Sequence, residues 1–157
     1  MSAPALALVE LDPSTRDRAL NGDLVGLHAA PGWPHRDTAP GLSFLDCGGR
    51  IFLIVDDAGR IVGECGTKGP PDALGTVEIG YGLAAQSRGR GLGTAAIGLL
   101  LDRLADDPEV HDVEAEVLHT NAASWRLLER LGFGEVADER RDYRRYRRPL
   151  RPARQPR

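Results

Sequence analysis

Thr76-Val77-Glu78-Ile79-Gly80-Tyr81-Gly82-Leu83, followed after Ala84 to Ser87 by Arg88-Gly89-Arg90-Gly91-Leu92-Gly93-Thr94, is the stretch that decides the fold. Apolar Val77, Ile79, Tyr81 and Leu83 alternate with Glu78, Gly80 and Gly82, the period of a strand buried on one face. After the glycines, Ile97, Leu100, Leu101 and Leu104 recur at the spacing of one helical face. The order is strand, glycine-rich turn, amphipathic helix.

Closely spaced glycines let the backbone turn so that successive amide N–H groups converge in a nest at the positive end of the following helix. Such a turn suits phosphate. A Walker A loop would end in Gly-Lys-Ser or Gly-Lys-Thr, but the only lysine is Lys68. The dinucleotide fingerprint requires G-x-G-x-x-G, and the spacing here is Gly89-x-Gly91-x-Gly93.

The remaining pattern, Arg-x-x-Gly-x-Gly at Arg88, Gly91 and Gly93, resembles the pyrophosphate loop of the GCN5-related N-acetyltransferases. Downstream, Asn121-Ala-Ala-Ser124-Trp-Arg-Leu-Leu128-Glu-Arg-Leu-Gly132-Phe133 resembles the family's second signature, an Asn that opens a helix closing on Gly-Phe. With Glu78-Ile79-Gly80-Tyr81 added, the pattern is most similar to the branch containing the ribosomal-protein N-terminal acetyltransferases. The resemblance is strong over residues 76–136 and rests on element order in the first half.

At 157 residues and 41% hydrophobic, the chain suits one domain, expected over residues 1–150. Residues 151–157, rich in Arg and Pro, have too little apolar content to pack and are expected to be disordered. Cys47 and Cys65 are too few for a disulfide framework, and no apolar run reaches the ~18 residues of a membrane span. A cytoplasmic protein without membrane association is expected. The net charge of −3 hides an asymmetry: residues 140–157 hold nine arginines and one acid, so residues 1–139 hold 11 basic and 22 acidic side chains. An acidic body would favour encounter with a cationic acceptor; it is equally read as a solvated surface.

Outward from the central stretch, Leu6–Leu11 reads as a strand, with Ser14 or Thr15 capping a helix through Arg18 and Leu24. The segment from His28 to Asp46 is rich in Pro and Gly and has no clear period. Ile51–Val55 and Ile61–Thr67 form a hairpin about Asp56-Asp57-Ala58-Gly59. Val113, Ala115 and Val117 alternate with Glu114 and Glu116 as a further strand. Ser124, Leu127, Leu128 and Leu131 mark a short helix ending at Gly132. A last hairpin is expected from Phe133–Val136 and Asp142–Leu150.

The resemblance implies acetyl transfer from acetyl-CoA to an amine by direct attack. Arg88, Gly89, Arg90, Gly91, Leu92, Gly93 and Thr94 would hold the pyrophosphate, and Asn121 would lie beside the cofactor. Gly82, Leu83 and Ala85 would pair with the pantetheine arm as an added strand edge. An alkylammonium of pKa about 10.4 is only ~0.1% neutral at pH 7, so a base is needed. Glu78 occupies the family's glutamate position and is the catalytic candidate, with Glu64 as a neighbour that would raise its basicity; an exposed sheet glutamate is the plain alternative. The family's usual tyrosine is replaced by Leu128, so Ser124 or water is expected to protonate the departing thiolate, although helix capping explains Ser124 and Asn121 equally well. Trp33 and His35 are candidates for acceptor binding; otherwise Trp33 plugs the core and His35 is exposed.

His28, His35, His111 and His119 lack zinc-site spacing, so no metal is expected. Aromatics near the terminal arginines are limited to Tyr143 and Tyr146, so no nucleic-acid partner is expected either; a homodimer is left open. The fold expected is mixed α/β: a mostly antiparallel sheet of about six or seven strands, flanked by helices on both faces and splayed between the Glu78 and Val113 strands. Acetyl-CoA would lie in the splay, with a protein N-terminus or a cationic small molecule as the amine acceptor. The rivals are a non-catalytic acyl-CoA-binding or regulatory module and a nucleotide-binding domain of another kind.

Overall fold

The computed structural model describes residues 4–21, 23 and 26–150. The expected tail 151–157 and the helical reading of Leu24 lie outside them. Strand β1 (Leu6–Glu10) is followed by helix α1 (Pro13–Leu20), strand β2 (His28–Ala29), helix α2 (Thr38–Leu42) and a 3-10 turn over Ser43–Cys47. Then come β3 (Ile51–Asp56), β4 (Arg60–Thr67), β5 (Thr76–Leu83), α3 (Leu92–Ala105), β6 (Asp112–Leu118), α4 (Ala122–Arg130), β7 (Gly134–Val136) and β8 (Tyr143–Pro149).

The strands form one sheet in the order β1-β3-β4-β5-β6-β8-β7, with β2 beside β4. Pairing is antiparallel except for β2·β4 and β5·β6. The seven-strand path matches the expectation, and the two-residue β2 adds an eighth strand inside the segment that showed no period. A strand of two residues is too short to carry a readable alternation.

Two cores explain why Ile51–Val55 is apolar without interruption. Phe52 and Ile54 belong to the core that holds Ile97, Leu100 and Leu128, while Ile51, Leu53 and Val55 belong to the one that holds Trp33 and Leu42. Successive side chains of a strand point to opposite faces, so a strand covered on both sides must be apolar at every position.

The first helix departs from expectation. Its cap is Asp12, whose Oδ1 accepts the Thr15 amide at 2.7 Å, with Pro13 at the first helical position. The missing proline N–H costs nothing there, because that group has no intrahelical partner in any case. The segment expected to be irregular also folds back locally. The His35 amide donates to Thr38 Oγ1 at 3.0 Å, and the short α2 then brings Leu42 fully into the core.

At the other end of the chain, basic β8 lies against acidic β6, with Glu114 opposite Arg147 and Glu116 opposite Arg145. Arg145 reaches Glu114 at 2.8 Å and Glu116 at 3.4 Å, Arg147 reaches Asp112 at 3.2 Å, and Arg140 pairs with Asp138 and Glu116. The charge asymmetry along the sequence is therefore partly cancelled in space.

Candidate functional site

Two of the three loop glycines turn the backbone. Gly89 and Gly91 have φ of +78° and +76°, and a Cβ built on either would meet nothing within 4 Å. Gly93 serves a different purpose: its Cβ would stand 2.8 Å from Leu127 Cδ1, so it is the absence of a side chain that lets α3 approach α4. Gly91 caps α3 without any side-chain acceptor, and the first helical bond runs from the Ala95 amide to Gly91 O. None of the amides from Gly89 to Thr94 donates to another group among the described residues. Arg88 and Arg90 bond only backbone carbonyls, Leu83 O at 3.3 Å and Gln86 O at 3.2 Å, and neither is paired with a carboxylate among the described residues. Residues 88–91 are exposed. Open amides, a helix N-terminus and two uncompensated arginines fit the diphosphate of CoA.

The splay lies between the expected strands. β5 and β6 pair from Thr76↔Asp112 to Ile79↔Ala115 and then part. β5 stays on β4 as far as Leu83↔Gly63, while β6 stays on β8 as far as Leu118↔Tyr143. From Gly80 to Leu83, β5 therefore has an open edge toward the gap. No register shift interrupts β4·β5, so the splay arises where β5 leaves β6 and not from a bulge at the β5 glycines. A peptide-like arm suits that edge.

On one side of β4 and β5 a cavity of about 190 Å³ is lined by His35, Glu64, Lys68, Gly80, Gly82 and Asn121, among others. Its most buried charged group is Glu64, only 5% exposed. Trp33 Nε1 donates to Glu64 Oε2 at 2.7 Å and Thr38 Oγ1 donates to the same oxygen at 3.3 Å. His35 Nε2 lies 2.9 Å from Oε1, yet its N–H is not aligned with any acceptor; the contact is close but badly directed. His35 Nδ1 accepts the Asp37 amide at 3.2 Å, so in the neutral ring the proton sits on Nε2. Burial pushes the Glu64 carboxyl above the usual carboxylate range, against the pull of Trp33, His35 and Thr38. Trp33 is thus a core residue whose polar edge holds an acid, and His35 is a cavity wall and not an exposed ring.

Glu78 has another environment. Its Oε1 receives Lys68 Nζ at 2.8 Å, with both side chains about one-third exposed and the lysine also over the Phe44 ring. Glu64 does not flank Glu78, contrary to expectation. It stands opposite Gly82, four residues along β5 from Glu78, or roughly 13 Å at 3.3 Å per residue.

Across the gap, Tyr81 Oη lies 2.5 Å from Ser124 Oγ. As expected, α4 offers no phenol, Leu128 standing fully buried in the core at the family's tyrosine position, but a phenol arrives from β5 instead. Burial pushes it up to about 12. Asn121 does cap α4, its Oδ1 accepting the Ser124 amide at 3.2 Å, whereas the Ser124 hydroxyl faces Tyr81 and takes no part in capping. Ala85 lies just beyond β5, on the turn to the loop.

The structure gives weight to three residues that received little or none from sequence: Glu64, Lys68 and Tyr81. The one local signal was Glu64 itself, an acid between Gly63 and Cys65 in an otherwise uncharged strand interior. Among the described residues, no group of three His, Cys, Asp or Glu could hold a metal ion, and no helix is long and apolar enough to cross a membrane.

The Acetyltransferase (GNAT) domain family matches residues 25–134. "Uncharacterized N-acetyltransferase p20" of Bacillus licheniformis is 31% identical over 84 residues, covering 54% of this chain and 47% of that protein. "Uncharacterized N-acetyltransferase YjdG" of Bacillus subtilis is 32% identical over 82 residues, covering 52% and 49%. The chain spans about half the length of the curated relatives it matches. Among solved structures, spermidine N-acetyltransferase from Vibrio cholerae, in complex with CoA and spermine, superposes with a TM-score of 0.67 at 18% identity, covering 92% of this chain and 95% of that one; the likeness is one of fold. With the glycine turn, the splay and the family match in agreement, the chain belongs to the GNAT acetyltransferase family.

Proposed function

We propose that the protein transfers an acetyl group from acetyl-CoA to a primary amine on a cationic molecule. The observation that carries this reading is the run of unpaired amides from Gly89 to Thr94, beside the open edge of β5 and the acid-bearing cavity. CoA would rest its diphosphate on Arg88 to Thr94 and its pantetheine along Gly82, Leu83 and Ala85, with Asn121 near the thioester end. The amine nitrogen attacks the thioester carbonyl carbon, the C–S bond breaks and the electron pair leaves on sulfur. The acceptor gives its proton to a carboxylate on the cavity side. Family position favours Glu78 for that role, and burial favours Glu64.

A protein N-terminus is the second reading. Ser124 with Leu128 in the second motif resembles the ribosomal-protein N-terminal acetyltransferases, and an α-amine of pKa about 7.7–8.0 needs less help from a base. The small cavity, about 190 Å³, favours a small amine. A fold relative, the Vibrio cholerae spermidine N-acetyltransferase, is dodecameric, so self-association, at least to a homodimer, is part of the proposal. A cytoplasmic location accords with acetyl-CoA as co-substrate.

Thiol release from acetyl-CoA, measured with polyamines, aminoglycosides, amino acids and short peptides, tests the reaction. A cationic amine is expected to be the best acceptor, with kcat/KM falling as salt rises and kcat nearly constant, because screening weakens encounter. A neutral or anionic best substrate with salt-independent kcat/KM would refute the charge reading.

Ser124→Ala and Tyr81→Phe each remove one hydroxyl of the pair beside the gap. Both are expected to lower kcat about tenfold, the equivalent of one hydrogen bond of about 1.4 kcal/mol, with acetyl-CoA affinity retained. Unchanged kcat in both variants would assign the thiolate proton to water.

A further inference from the structure

We propose that Glu64, not Glu78, receives the ammonium group of the acceptor and takes its proton, and that the cavity is built for a small primary amine whose cation ends on Glu64 Oε1. The inference rests on the acetyl-transfer reading and names the residue that selects and activates its acceptor.

The two Glu64 oxygens are used unequally. Oε2 is occupied by Trp33 Nε1 at 2.7 Å and Thr38 Oγ1 at 3.3 Å. Oε1 has only the misdirected His35 contact and looks onto Gly82, where a Cβ would come within 3.2 Å of it. Oε1 accepts no aligned protein donor and faces the cavity, the orphaned buried atom beside it being His35 Nε2, so a donor entering the cavity can complete the carboxylate. The missing partner is a donor, and it is cationic if it is to match the charge. No lysine or arginine pairs with Glu64 among the described residues, whereas Glu78 is already matched by Lys68.

Position agrees with this. Glu64 stands opposite Gly82, in the middle of the β5 arm whose other edge is open to the gap. Gly82 has no side chain to fill the space between the carboxylate and that arm. An amine held on Oε1 is therefore brought to the level at which the pantetheine is proposed to run. Glu78 sits at the closed end of the splay, where β5 and β6 are still paired, Glu78↔Glu114.

The step balances. The ammonium N–H proton passes to Glu64 Oε1, and the freed nitrogen lone pair forms the C–N bond as the C–S bond breaks. The second nitrogen proton goes to the thiolate by way of Ser124 or water. Glu64 then returns its proton to solvent through the cavity mouth. The charged and titratable groups around Glu64 are His35 and Asp37 from the 33–42 segment, Cys65 beside it on β4, Tyr81 on β5, and Lys68 and Arg88 on the cavity wall. Burial, the largest influence on Glu64, places the acid limb of its pH profile above that of an ordinary carboxylate. Activity rises as pH climbs through that limb, because the base works deprotonated.

The test compares Glu64→Gln and Glu78→Gln with the unaltered protein, using 1,4-diaminobutane and n-butylamine as acceptors. Gln keeps an acceptor oxygen for Trp33 and Thr38, and melting temperature checks that each variant is folded. Glu64→Gln is expected to lower kcat/KM about 100-fold, to abolish the acid limb and to leave CoA affinity unchanged. Glu78→Gln is expected to lose less and to retain the limb. The proposal is overturned if Glu64→Gln stays within about threefold of the unaltered protein, well short of a general-base effect, or if Glu78→Gln is the variant that loses the limb. Amine binding to the CoA complex, followed by calorimetry, separates this proposal from the reaction itself. Amine binding that depends on Glu64 without thiol release would sink acetyl transfer and keep Glu64 as the cation site, whereas amine binding unaffected by Glu64→Gln would sink the Glu64 proposal.

Discussion

Replacing Gly91 by valine is expected to weaken CoA binding by more than about 100-fold, the loss of roughly two charge-assisted hydrogen bonds worth about 1.5 kcal/mol each. The backbone there has φ of +76°, a region that costs an L-residue roughly 1–2 kcal/mol and a β-branched one more. Relief of that strain would swing the amides of residues 91–94 away from a common focus. If the turn resists, the new side chain projects into open space, since no protein atom lies within 4 Å of the built Cβ, and that space is where the diphosphate is expected. Either outcome removes the nest. The core beneath α3 is made by Ala96, Ile97, Leu100, Leu101 and Leu104, so the fold should survive. Gly98→Ala is the control: it lies inside α3 with nothing near its Cβ, and it should leave CoA binding unchanged while stabilising the helix by roughly 0.5–1 kcal/mol. Titration of CoA against both variants, with melting temperatures, decides the matter. Unchanged affinity in a folded Gly91→Val would refute the phosphate assignment.

Gly82→Val should do the opposite, sparing the cofactor and disabling the acceptor. A Cβ at Gly82 would stand 2.8 Å and 2.9 Å from His35 ring atoms and 3.2 Å from Glu64 Oε1. All three are ends of side chains and not backbone, so the ring can yield and the strand can persist, helped by valine's preference for strands. The displaced ring and the two methyl groups would fill the space in front of Glu64. Overpacking of this kind costs about 1–3 kcal/mol of stability, and with the acceptor barred from Glu64 kcat/KM for an amine should fall by about 100-fold, the size of a general-base effect. CoA affinity should change little, because the pantetheine is proposed to use the backbone edge of β5 and not a side chain. Normal amine kinetics in Gly82→Val would show that the acceptor does not enter through this cavity.

What could be read from the sequence was what short-range physics controls. The alternation over Val77–Leu83, the helical spacing from Ile97 to Leu104, the glycines at positive φ and the Asn121 cap are each set by residues within a turn or two of one another, and they led to strand, glycine turn, helix and family. A fixed φ preference or a hydrophobic period needs no knowledge of the rest of the chain. Even the continuous run Ile51–Val55 carried its own message, since only a strand covered on both faces tolerates it.

Which side chains meet was decided by strand register and by the path of the chain between elements, and neither is local. Register puts Glu64 opposite Gly82, and not beside Glu78. The 33–42 segment folds over β4 and supplies an indole N–H, a hydroxyl and an imidazole to that one carboxylate. The turn after β4 returns Lys68 to Glu78. The splay lets Tyr81 meet Ser124, 43 residues along the chain. The same cause partly offsets the charge asymmetry along the sequence, because the arginines of β8 are laid beside the acids of β6. Burial and partners together fix what a carboxylate can do, and both come from contacts between segments far apart in sequence. The fold was thus determined by periods and turns in the sequence, while the burial and the partners that set Glu64 apart from Glu78 belonged to the tertiary structure.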